Sequence, residues 1–147
     1  MAELTHSPAD IVRHALIALG QGSLPRNYVD WPISVGYELD SPDSCVTLFD
    51  TTGTPDGRSQ IDGEVLQHPG IQLRVRASGH QTGWSKINSL TVALDAINNY
   101  RVTIDSSTYT IQVISRRSTV ESIGKEDSVT KRDRFVANFT VSIDQEG

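Results

Sequence analysis

The strictest constraint on this chain lies near its C-terminus. Phe135, Ala137, Phe139, Val141 and Ile143 alternate with Arg134, Val136, Asn138, Thr140 and Ser142. A two-residue period sends one row of side chains to a core and the other toward water, so the stretch reads as a half-buried strand. Ile71, Leu73, Val75 and Ala77, interleaved with Gln72, Arg74 and Arg76, repeat the pattern, and so do Ile33, Val35, Tyr37 and Leu39. Cys45 to Phe49 is mostly apolar and reads as a strand covered on both faces. Val102 and Ile104, a turn at Asp105-Ser106-Ser107, and Tyr109, Ile111 and Val113 together predict a β-hairpin.

Two stretches carry the helical period instead. Ser7-Pro8-Ala9-Asp10 supplies a cap, a proline for the first helical position and an acid for the first turn. Val12, Ala15, Leu16 and Leu19 follow as an apolar stripe, and Gly20 and Gly22 end it, which predicts a helix over 8–20. Ile87, Leu90, Leu94 and Ile97 predict a second helix over 80–98, with Ser78 and Gln81 at capping-box spacing. The expected order is α-β-β-β-α-β-β-β. Short connections favour antiparallel neighbours. The expected fold is therefore α+β: one domain over 1–147, with a single mostly antiparallel sheet and two helices packed on it. A chain of 147 residues is long enough for such a core. Two polar segments, 50–67 and 116–133, stand as long loops, and loops of that length usually carry function or move.

Charge is divided along the chain. Residues 27–64 hold eight acids and one base, Arg58, while 116–134 holds six bases and four acids. Acidic and basic patches on one subunit suit a heterologous, head-to-tail contact between copies. The candidate interface residues are Asp50, Asp56, Arg58 and Asp62 in the first polar segment and Arg74 and Arg76 on the following strand. Arg116, Arg117, Lys125, Lys131 and Arg132 complete the set in the second segment. The net charge of -5 argues against sequence-specific duplex binding, which needs clustered Lys and Arg. No apolar run approaches the about 20 residues of a membrane span. The start, MAELTHSPAD, lacks a signal-peptide layout, which points to the cytoplasm or a particle assembled there.

Nothing in the chain assembles into a catalytic, cofactor or metal motif. Asp50-Thr51-Thr52-Gly53 departs from the aspartic-protease Asp-Thr-Gly by an inserted Thr. Asp50, Asp56, Asp62 and Glu64 could offer oxygen ligands to a hard cation, but without EF-hand spacing and without a nearby Lys or His for a hydrolase. Gly124-Lys125 lacks the rest of a phosphate-binding loop, and His6, His14, His68 and His80 have no metal-pair spacing. Cys45, the single cysteine, reads as a small core residue, and Trp31 and Trp84 read as packing residues. The expectation is a structural protein, neither an enzyme nor a cofactor binder.

The run from Trp31-Pro32-Ile33 through Asp40-Ser41-Pro42-Asp43 to Val46-Thr47-Leu48-Phe49-Asp50-Thr51-Thr52-Gly53 resembles a known family. So do Ile71 to Ala77 with the helix that follows, and the closing Phe135 to Val141. Over about residues 8–143 the chain resembles the minor capsid proteins of tailed bacteriophages, identified as tail terminators or tail-completion proteins. The resemblance implies a small α/β subunit of a hexameric ring at the top of the tail tube. That ring stops tube growth, meets the major tail tube protein and the head-tail connector, and lets DNA pass through its lumen. It implies a virion location and no catalytic residues. A different connector or tail-tube subunit is the nearest alternative, and a metal-binding hydrolase a distant one.

Overall fold

In a computed structural model the chain is described over residues 4–25, 31–58, 65–125 and 131–146. Side chains are described over the same ranges, apart from 53–58 and 65–67. Helix α1 covers Pro8–Ala18. Ser7 caps it by accepting from the Asp10 N–H, and Gly20, at φ 77°, ends it. The Gly20 N–H donates to the Ile17 carbonyl and the Gln21 N–H to that of Leu16, the paired bonds of a Schellman stop. Strands β1 (Ile33–Val35), β2 (Cys45–Arg58) and β3 (Val65–Ala77) follow, then helix α2 (His80–Asp95). Strands β4 (Asn98–Ile104), β5 (Ser107–Arg116), β6 (Glu121–Lys125) and β7 (Asp133–Gln145) complete the chain.

The sheet runs β1-β2-β3-β7-β5-β4, with β6 paired to β7. Both helices lie on one face. Ala9 and Asp50 are joined across α1 and β2, while Gly83 of α2 sits against Phe135 and Ala77. Val12, Leu16, Ile87, Leu90 and Leu94 meet Leu48, Leu73, Val75, Phe135, Phe139 and Tyr109 in a single apolar cluster. The apolar rows read at 71–77 and 135–143 are buried, whereas the row read at 33–39 is buried only at its start, with Tyr37 58% exposed, and Leu19 and Val113 also stand exposed at the ends of their rows. Cys45 is buried as expected, and burial pushes its thiol up from the ordinary 9.0. No described helix is long and apolar enough to cross a membrane.

The expected single, mostly antiparallel sheet is not what forms. The chain is mostly β, with seven strands among the described residues in a curled, half-barrel mixed sheet. β1 pairs parallel with β2, Ile33 opposite Val46 and Val35 opposite Leu48. Short connections favoured antiparallel neighbours here too. Instead the alternation stops at Gly36, at φ 84°, and 36–44 carries the chain back so that β2 starts beside the beginning of β1.

The two expected loops also become largely strand. β2 and β3 pair antiparallel from Cys45–Arg76 out to Arg58–Val65. Register shifts near Thr51–Thr54 and Pro55–Gly57 absorb residues that would otherwise break the ladder. Gly70 is required where they pack, because a Cβ there would lie 2.6 Å from the Thr51 hydroxyl. β7 pairs with β3 only from Gly70 inward, opposite Thr140. Beyond that point β2 and β3 form a two-stranded arm. In the second segment, β6 continues the line of β5 along the same edge of β7. Arg116 lies opposite Phe139 and Glu121 opposite Val136, so 117–120 is an interruption in one long strand.

Candidate functional site

The charged candidates fall into two groups by place. Arg74 and Arg76 stand on the β3 face opposite the helices. Arg76 is 3% exposed; its Nε donates to the Asp43 carbonyl (3.2 Å) and its Nη2 to the Pro42 carbonyl (2.9 Å). Its Nη1 lies 3.6 Å from Glu38. Arg74 donates from Nε to Gln72 (2.9 Å) and covers the Phe49 ring at 5.2 Å. Arg132, also buried, donates to the Asp40 carbonyl at 2.7 Å and lies 3.4 Å from Asp43. The acidic segment that these arginines meet is their own chain's, at 38–43. One fork thus holds the return loop 36–44 against the sheet, a task that suits the rigid geometry of guanidinium.

The others are dispersed. The Asp50 carboxylate accepts the Ala9 N–H at 2.9 Å, so it caps α1 from the sheet. Arg116 pairs with Asp95 at 2.7 Å, and Lys125 with Asp133 at 3.2 Å. Arg117 donates to the Thr52 carbonyl at 3.1 Å, tying the β5–β6 interruption to the base of the arm. Lys131 is exposed and left-handed at φ 53°. Asp56 and Arg58 lie on the arm, where only the backbone is described, and Asp62 and Glu64 fall outside the described residues. Among the described residues no three His, Cys, Asp or Glu gather as metal ligands. His6 meets the Tyr109 hydroxyl and lies 3.6 Å from Asp105, fastening the N-terminal segment to the β4–β5 turn.

The sequence reading missed a surface on α2. Trp84, read as a packing residue, flanks Phe135 with ring centroids 6.1 Å apart but stays 41% exposed. Val92 is 64% exposed, and Leu19, at the end of α1, 40%. Lys86, the one charge between Gln81 and Leu94, turns away from this face. Its Nζ donates to the Gln21 carbonyl at 2.6 Å and lies 5.3 Å from the Trp31 ring. Partial burial pulls its ammonium below the ordinary 10.5. The outward face of α2 is left with Trp84, Ser85, Asn88, Ser89 and Val92. These residues and Gln21 line a shallow groove of about 610 Å³. The available signal was a charge-free helical face, hidden because apolar spacing draws attention to the buried stripe.

The unusual features among the described residues are surfaces. A search of curated proteins finds no match for the chain. The family model for bacteriophage tail terminator proteins, however, matches residues 10–145, nearly the whole length. The chain belongs to the bacteriophage tail terminator family, a family of virion structural proteins.

Proposed function

We propose that the chain is the subunit of a hexameric ring that caps the tail tube and joins it to the head-tail connector. The observation that carries the reading is the family match over 10–145. The shape of the subunit supports it. A helix-covered layer leaves the opposite sheet face and a two-stranded arm free of the helices, so several surfaces remain for neighbours. The mechanism is geometric: a ring seated on the last layer of tube protein covers the surface that the next layer would need. DNA passes through the ring without base-specific contacts, and assembly takes place in the host cytoplasm. The whole chain acts as one structural domain, with no catalytic step.

The test uses purified tail-tube protein polymerised with and without this chain, with tube lengths measured by electron microscopy. A terminator stops growth and leaves density at one tube end. Tubes of equal length in both reactions, with bare ends, would overturn the reading.

A further inference from the structure

We propose that the arm formed by the outer halves of β2 and β3 is hinged at its base, and that Arg117 is the latch that fixes its angle to the sheet. Support for the two strands ends within a few residues. β1 accompanies β2 as far as Leu48, Asp50 makes its tie to the Ala9 N–H of α1, and β7 accompanies β3 only from Gly70 inward. A two-stranded ribbon is marginal by itself in water, so the contacts at its base decide how it stands. The ladder is irregular at that level. Thr51 pairs with Gly70 and Thr54 with His68, which leaves β2 one residue longer than β3 there, and Pro69 has no N–H to give. A second extra residue follows between Pro55 and Gly57. Bulges of this kind bend a strand and loosen its pairing.

The direction of the bend shows at Gly70. This residue shares the helix-free face with Gln72 and Arg74, and a Cβ on it would lie 2.7 Å from the Thr52 carbonyl oxygen. The bulge is therefore folded over β3 on that face. Arg117 holds the same oxygen, to which its Nη1 donates at 3.1 Å. The root of Arg117 is fixed on the far side of β7. Its N–H donates to the Asn138 carbonyl at 2.8 Å, and the Ser118 hydroxyl accepts the Asn138 N–H at 3.3 Å. The side chain thus reaches from the β5–β6 interruption across β7 and β3 to β2. Ladder bonds join only adjacent strands and leave the angle of the ribbon soft. A bond that skips two strands constrains that angle. One solvent-exposed hydrogen bond adds little to global stability, so it can open while the sheet stays whole.

The test is the distance between two spin labels, measured by pulsed electron paramagnetic resonance. One label sits on the arm at Gln67→Cys and the other on the exposed β4–β5 turn at Ser106→Cys, in a Cys45→Ala parent. Labelled chains are diluted with unlabelled ones, so that only pairs within one chain are read. The parent is expected to give one narrow distribution. Arg117→Ala should broaden or shift it while the melting temperature stays put, and Arg117→Lys, which keeps a donor, should restore most of the narrowness. Arg116→Ala removes the same charge one residue away, where the partner is Asp95, and should leave the distribution unchanged. The latch is refuted if Arg117→Ala matches its parent, if the parent is already as broad as Arg117→Ala, or if Arg116→Ala broadens it as much. Each of those results leaves the ring reading as it stands.

Discussion

Asp50 and Arg76 were both read from the sequence as surface charges for a partner, and both serve the fold. Asp50→Ala removes the acceptor for the Ala9 N–H and should cost about 1 kcal/mol in denaturant unfolding, the usual cost of losing a helix cap. Asp50→Asn keeps an acceptor and should cost much less. Arg76→Met strips the Pro42 and Asp43 carbonyls of their donor and should cost about 2–4 kcal/mol. Arg76→Lys should recover only part, since an ammonium cannot span both carbonyls. Equal stability of Arg76→Met and wild type would mean that the return loop is held by something else. Such roles were illegible beforehand because alternation reports which face a strand residue takes, not which distant loop lies over that face. Cys45 was legible. Its neutral thiol is favoured by burial, so its contribution to stability is complete below the ordinary 9.0 and falls as pH rises through that value and above. Thiol labelling at pH 8 should be slow in the native protein and fast in denaturant.

At the scale of elements, α2 sets two glycines against each other. Gly79 caps the helix without a side-chain acceptor and at φ -134°, which any residue adopts. A Cβ there would meet nothing closer than 3.7 Å. Gly79→Ser should therefore stabilise by about 0.5–1 kcal/mol, from the cap and the stiffer unfolded chain. Gly83 lies in the helix interior, where Ala is normally better, but its Cβ would fall 2.6 Å from the Phe135 ring. Gly83→Ala should destabilise by about 1–3 kcal/mol. Thermal melts of the two variants should move in opposite directions, and a shared direction would refute the packing of α2 on β7. The capping box expected from Ser78 and Gln81 does not form, because Gly79 holds the cap position. Elements with a clean period, α1, β3 and β7, were readable. β6 and the outer parts of β2 and β3 were not, because Gly53, Pro55, Gly57 and Pro69 look like loop residues when pairing partners are unknown. Bulges and a free arm accommodate them.

For the whole molecule, part of the charge division that suggested a head-to-tail contact is met inside one chain, from Arg132 to Asp43 and from Arg76 to Glu38. The family was legible because the residue runs that carry the resemblance extend through most of the length. The exposed face of α2 was not, since only the fold shows that Lys86 turns toward the Gln21 carbonyl and leaves Trp84 and Val92 outward. The most direct measurement is the solution mass of the wild-type protein by light scattering, in dilute buffer and in molar salt. The proposed hexameric ring predicts one discrete species near six chains. A monomer, or a mass that climbs without limit as concentration rises, would contradict it.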